Sequence, residues 1–308
     1  MSDYRQTEFR KWRWTAVLTA LALAVLLLAP LGCSNKPKTV ESPNEIVIVT
    51  SFYPVYIMTM NIAAGIPGVR VVNLTPAAAG CLHDYQLTPD DLKRLETARF
   101  LVINGAGMES FLDRVSQRKG LTVIEASKQI PLKKTISGEP NPHVWLSVPN
   151  AMRQVTNIGE QLAAADPAHA AAYRANMKRY LEKLASLDER MRSALKPAAG
   201  ARIVTFHEAF PYFADEYGLT VAAVVEREPG AEPSAGELAR TVELIKSSGI
   251  KAIFAEPQYS ARAAETIARE SGIRVYQLDP VVTGPASLDA YIDIMKRNTE
   301  TLTEALKP

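Results

Sequence analysis

The sequence predicts an α/β protein built as two similar α/β lobes with parallel sheets, joined by a long spanning helix. Short apolar, β-branched runs occur in two sets of four, with amphipathic stretches between successive runs, as buried parallel strands linked by helices require. The most strongly helical part of the chain lies between the two sets. With 308 residues, 47% of them apolar and 22% charged, the chain is long enough for two ordinary domains and too apolar for disorder.

Residues 1–32 stand apart from the rest. Arg5, Arg10, Lys11 and Arg13 precede an uncharged run over residues 15–32, which is the layout of an export signal. Cys33 follows that run in Ala29-Pro30-Leu31-Gly32-Cys33-Ser34, a segment that resembles a lipobox. The resemblance implies that Cys33 is lipidated and becomes the mature N-terminus. An uncleaved membrane anchor is the alternative, because about 18 apolar residues just span a bilayer. Residues 33–44 are polar and Pro-containing, and read as a flexible tether.

Removing the leader's four basic and two acidic residues leaves 31 of each sign, so the formal net charge of +2 belongs to the leader. The mature chain is neutral and nothing in it resembles the clustered positive charge that phosphate backbones require, so nucleic acid and anionic membrane surfaces are poor candidate partners.

The first lobe, residues 45–149, carries expected strands at 46–50, 69–74, 100–103 and 121–124. The linking helical segment covers 150–197 and is interrupted at Asp166-Pro167, where Asp before Pro predicts a new helix start. Beyond that point Tyr173, Met177, Tyr180, Leu184, Leu187, Met191 and Leu195 recur every three or four residues. They form one apolar stripe on a helix about 40 Å long, enough to cross from lobe to lobe. A helical link predicts a stiff joint and modest closure, since a hinge needs residues free to change backbone angles. The second lobe, residues 198–308, carries expected strands at 202–206, 220–225, 252–254 and 274–278.

Four histidines are present. His169 lies among alanines on the helical segment and reads as a helix-surface residue. His83 follows the second expected strand and a Pro-Ala-Ala-Ala-Gly turn, His143 follows Glu139-Pro140-Asn141-Pro142, and His207 comes directly after the fifth strand. Asp279 ends the eighth. In open α/β sheets ligands collect beyond the carboxyl ends of the strands, where these four residues would stand. Imidazole and carboxylate suit a divalent first-row metal, and four protein ligands close the site against a water-activating vacancy. Taken singly, a histidine at a strand end is more often a hydrogen-bonded loop residue. The separations of 60, 64 and 72 residues match no compact metal motif.

Ordered blocks supply the missing step. Ser51-Phe52-Tyr53-Pro54, His83-Asp84-Tyr85-Gln86-Leu87-Thr88-Pro89, Asn141-Pro142-His143-Val144-Trp145-Leu146, His207-Glu208-Ala209-Phe210-Pro211-Tyr212-Phe213, Glu256-Pro257-Gln258-Tyr259-Ser260 and Leu278-Asp279-Pro280 follow one another along the chain. Across nearly its whole mature length the sequence resembles the cluster A-I metal-binding lipoproteins of ABC importers. The resemblance implies a metal held between the lobes by His83, His143, His207 and Asp279. It implies Zn2+ as the ion, because the third position is His, with Mn2+ the alternative because no His-rich insertion precedes His143.

It further implies a monomeric extracytoplasmic protein, lipid-anchored at Cys33, that serves a membrane permease coupled to a separate ATPase subunit. Cys81-Leu82 stands where the family usually has an acidic residue and Pro, and Cys81 reads as a buried free thiol. Glu256 is the alternative ligand to Asp279.

An enzyme is not expected. A zinc hydrolase using Glu208 would need an open coordination position, and no His-Glu-x-x-His or Gly-x-Ser-x-Gly motif occurs. Asn104-Gly105-Ala106-Gly107-Met108-Glu109 hints at a dinucleotide loop but lacks the third glycine. A surface adhesin is compatible with the same fold.

Overall fold

The structure is a computed structural model and describes residues 45–76, 80, 82, 85–225, 233–257 and 262–307. The leader, the tether with Cys33, and both Cys81 and His83 lie outside the described residues. No described helix is long and apolar enough to cross a membrane.

The chain forms two four-stranded parallel sheets. The first contains β1 (Ile46–Thr50), β2 (Val69–Asn73), β3 (Phe100–Ile103) and β4 (Thr122–Glu125) in the order β2-β1-β3-β4. The second contains β5 (Arg202–Thr205), β6 (Thr220–Val224), β7 (Ala252–Ala255) and β8 (Arg274–Gln277) in the matching order β6-β5-β7-β8. In each sheet the order reverses beside the first strand, between β1 and β3 and between β5 and β7. Loops leave in opposite directions there, opening a crevice at the strand ends.

Burial on both faces explains the β-branched runs. Along β1, Ile46 and Ile48 join the large central core, while Val47 and Val49 join a separate cluster with Leu74, Leu95, Leu101 and Leu112 on the opposite face. Alternation of side chains across the pleat requires this split. In the second sheet Val204 and Ile253 face Ile245 and Ile267, whereas Ile203 and Phe254 face the central core.

Helices α1 (Tyr53–Ala63), α2 (Pro89–Thr97), α3 (Val148–Ala165), α4 (Ala170–Leu195), α5 (Pro211–Glu216), α6 (Ala235–Ser248), α7 (Arg262–Ser271) and α8 (Ala290–Ala305) complete the described fold. The 26 residues of α4 span about 39 Å at 1.5 Å per residue. Near its start, the Asn176 side chain donates to the carbonyls of Ile62 and Ala64, both at 2.9 Å, tying it to the end of α1 in the first lobe. Near its end, Asp188 accepts from Tyr217 Oη at 3.0 Å, and Lys183 pairs with Asp289 at 2.8 Å, tying it to the second lobe. The helix therefore bridges the lobes.

Three details differ from the sequence reading. Asp166 ends α3 instead of starting α4, its backbone N–H donating to Leu162 O at 2.8 Å. Its buried carboxylate takes His169 Nδ1 at 2.8 Å and Tyr173 Oη at 3.0 Å. His169 is thus the N-cap position of α4, paired with an acid, and not a plain surface residue. The buried stripe also includes Asn176, with Met177 only partly buried. Met177 lies over Gly159 of α3, where a Cβ would run into its sulfur, so the two helices approach closely at that glycine.

The lobes share one core and several directed bonds. Trp145 Nε1 donates to Pro280 O at 2.8 Å, and Tyr291 Oη donates to Trp145 O at 2.7 Å. Tyr53 Oη donates to Pro285 O at 2.9 Å, and Asn61 Nδ2 to Leu288 O at 2.8 Å.

Leu184 is fully buried in the stripe, so Leu184→Ala should cost about 2–5 kcal/mol in urea unfolding, and Met177→Ala clearly less. Tyr291→Phe should cost about 1–3 kcal/mol, because it leaves the buried Trp145 carbonyl without that donor.

Candidate metal centre

His207 leaves β5 at the point where the strand order reverses, two residues beyond Thr205. Buried Phe206, Ala209 and Phe210 anchor the turn into α5, whose Pro211 stands in its first turn. Thr205 Oγ1 donates to His207 O at 3.1 Å. The imidazole is 3% exposed.

His143 is delivered by the loop after a small hairpin closed by the Lys134 and Pro140 bridge. Asn141 fixes its ring. The Asn141 side-chain oxygen accepts the His143 backbone N–H at 3.0 Å and faces His143 Nδ1 at 2.9 Å. Its amide nitrogen donates to Glu208 O at 2.8 Å, which settles the orientation of the amide. Nδ1 therefore carries the proton, which leaves Nε2 as the nitrogen through which this ring would bind an ion.

The two imidazoles meet edge to face, with ring centroids 4.7 Å apart and planes at 87°. They line a cleft of about 400 Å³ together with Glu208, Pro142 and Gly107. Glu208, the base a hydrolase would need, accepts the Ile136 backbone N–H at 2.7 Å.

The 104–109 loop forms another wall of the cleft, and two of its backbone donors are taken by its own Glu109. Glu109 accepts from Asn104 N at 2.7 Å, Gly105 N at 3.0 Å and Ser51 Oγ at 2.7 Å. Burial pushes the Glu109 carboxyl up to about 7, while those three donors pull it down. Gly105 has φ +78°, and a Cβ there would lie 2.5 Å from the Glu125 side chain, which accounts for the glycine without a nucleotide. The same strand end supports His143 through Asn104 Nδ2, which donates to Pro142 O at 3.0 Å.

Asp279 follows β8 and is half-buried, with its backbone clamped by Asn298. Asp279 N donates to Asn298 Oδ1 at 2.9 Å, and Asn298 Nδ2 donates to Asp279 O at 2.7 Å. One carboxylate oxygen accepts the Val281 N–H at 2.7 Å. Tyr53 of the other lobe is raised to about 12, by burial first and then by the negative charge of Asp279. Asp279 thus sits at the lobe boundary.

Glu256 follows β7, the neighbour of β5, and is 2% exposed. Neither of its oxygens has a hydrogen-bond partner among the described residues, and Oε1 lies 3.4 Å from His207 Nδ1.

Of the residues singled out from sequence, the described part of the structure brings His143 and His207 together. It holds no cluster of three or more His, Cys, Asp or Glu side chains able to grip an ion, and His83 lies outside it. The donor chemistry fits a divalent transition metal: two buried imidazoles from different lobes meet edge to face in one cleft. The supporting roles of Asn141 and Glu109 escaped the sequence reading. A polar residue inside an otherwise apolar or Pro-rich block was the available signal.

Residues 48–305 match the family model for the zinc-uptake complex component A, periplasmic, ZnuA. The high-affinity zinc uptake system protein ZnuA of Bacillus subtilis is 32% identical over 321 aligned positions, covering 97% of this chain and 98% of that protein. Among solved structures, FpvC of Pseudomonas aeruginosa in complex with Mn2+ is 34% identical with a TM-score of 0.77, covering 85% of this chain and 98% of that one. Zn(II)-bound AdcA of Streptococcus pneumoniae is 31% identical with a TM-score of 0.75, and the match covers 86% of this chain but 58% of AdcA. The chain belongs to the periplasmic zinc-uptake component A family, whose members are solute-binding proteins and not enzymes.

Proposed function

We propose that this protein captures a divalent transition-metal ion, zinc foremost, outside the cytoplasm and delivers it to an ABC permease driven by a separate ATPase subunit. The observation that carries this reading is the buried edge-to-face pair of His143 and His207 at a strand-order reversal, with the His143 ring held by Asn141. His83 and Asp279 complete the set in this reading, giving three imidazoles and one carboxylate.

Such a set favours tetrahedral zinc, whereas manganese prefers more oxygen donors and higher coordination. The zinc-uptake names of the relatives point the same way, and the manganese complex of FpvC keeps Mn2+ as the competing cargo. In the proposed arrangement Cys33 carries a lipid anchor, residues 33–44 form the leash after a processed 1–32 leader, and the protein acts as a monomer. Lobes 45–149 and 198–308 flank the segment 150–197 and close only modestly around the ion.

Metal analysis and competition titration of the purified protein test the reading. One zinc per chain is expected. His83→Ala, His143→Ala and His207→Ala should each lower affinity by about 100-fold or more, since roughly 10–16 kcal/mol of binding free energy is shared among four ligands. Asp279→Ala should weaken binding less. Unchanged stoichiometry and affinity in all four variants would overturn the site, and manganese displacing zinc in competition would reassign the cargo.

Protons compete with the metal for imidazole nitrogen, so affinity should fall as pH drops from about 7.5 to 5, through the ordinary imidazole value near 6.5. Competition titrations that give the same zinc affinity across that range would exclude ligation by three imidazoles.

A further inference from the structure

Four carboxylates are buried among the described residues, and three of them are hydrogen-bonded. Asp91 meets Thr88 and Tyr85, Glu109 meets Ser51, Asn104 and Gly105, and Asp166 meets His169 and Tyr173. Glu256 alone has neither oxygen hydrogen-bonded among the described residues. A fold rarely keeps such a group unless a ligand completes its surroundings.

Its place in the sheet says what that completion involves. The paired central strands β5 and β7 run in register through Thr205 and Phe254. His207 and Glu256 each stand two residues beyond that last pair, so the two side chains leave the sheet side by side where the strand order reverses. Glu256 Oε1 lies 3.4 Å from His207 Nδ1. At His143 the equivalent ring nitrogen faces Asn141 Oδ1 at 2.9 Å. Both imidazoles therefore turn Nδ1 toward an oxygen, and an ion must use the opposite nitrogen, Nε2.

We infer that Glu256 is a positioning residue of the metal site: its carboxylate takes the Nδ1–H of His207 and fixes the ring with Nε2 toward the ion. A carboxylate facing Nδ1 lies on the far side of the ring from an ion bound at Nε2, so it acts through the imidazole and not as a ligand. It also makes His207 a stronger donor than His143, whose partner is a neutral amide. This inference rests on the metal-capture reading and adds to it the residue that orients one of the ligands.

The test uses Glu256→Gln and Glu256→Ala in the full-length protein, with three readouts. Zinc affinity should fall about tenfold in Glu256→Gln, which keeps an acceptor without the charge, and about 100-fold in Glu256→Ala, both still binding one zinc. Long-range proton–nitrogen spectra of zinc-loaded wild type should show His207 protonated at Nδ1 and bound through Nε2. Without metal, Glu256→Gln should melt no lower than wild type, while its zinc-induced rise in Tm should be smaller, a pattern that a purely structural role would not produce.

Wild-type affinity in both variants, zinc bound through Nδ1 of His207, or a zinc-loaded crystal structure with a Glu256 oxygen on the ion would overturn the inference while leaving metal capture standing. Wild type that takes up no zinc overturns metal capture, and this inference falls with it.

Discussion

The cleft depends on one short segment, residues 141–146, that belongs to the first lobe and is bonded into the second. Asn141 gives its amide to Glu208 O at 2.8 Å and takes Tyr212 Oη on its own carbonyl at 2.8 Å. Four residues on, Trp145 gives its indole N–H to Pro280 O and accepts Tyr291 Oη on its carbonyl. His143 lies between these two clamps. Each bond contributes only about 1 kcal/mol net, but three of the four are buried, and a group stranded there would cost about 1–3 kcal/mol. The segment can therefore hold one conformation well and few others at all. Since Pro280 follows Asp279 directly, the same clamps fix the distance between the histidine pair and the acid at the lobe boundary.

The long helix makes the same constraint global. Held to α1 through Asn176 and to the second lobe through Asp188 and Lys183, α4 leaves the joint no residues that could swing through large backbone changes. A shared core through both lobes strengthens this, because Phe52, Trp145, Leu184 and Tyr291 all belong to it. His143 and His207, presented from opposite lobes, are thereby held in a fixed relation to each other. For a transition metal, whose bonds to nitrogen tolerate only a few tenths of an ångström, such preorganisation lowers the cost of capture.

Much of this was legible in the residues. All eight strands lie within about a residue of the β-branched runs, because a strand buried on both faces needs apolar side chains at every position and polar loops at its ends. Helix boundaries were harder. Asp166-Pro167 reads as a helix start by local rules, yet Tyr173 and His169 claim the aspartate carboxylate and it closes α3 instead. Met177 fits the heptad-like stripe, yet Asn176 is the buried residue, since two α1 carbonyls need its amide. At the centre itself His143 and His207 were identifiable as candidates. The placing of Asn141 and Glu256 against their Nδ1 atoms was not, because which ring nitrogen a side chain faces is set only by the folded loops.

The two lobes share a strand order but use their reversal points differently, and charge explains why. At the second reversal the sheet presents side chains, His207 from β5 and Glu256 from β7, to the space beyond it. At the first, the loop after β3 turns two backbone N–H groups inward, an arrangement that in other α/β proteins cradles phosphate. Glu109 fills that cradle with the chain's own carboxylate, and Ser51 supplies a third donor. The Glu109 carboxyl, raised to about 7 by burial, is the cost of closing the cradle. What it secures is a loop folded back on itself, whose carbonyls and side chains, Asn104 above all, are free to brace Pro142 beneath His143. One reversal point is thereby turned into scaffolding, while the other sets the His207 imidazole and the Glu256 carboxylate side by side.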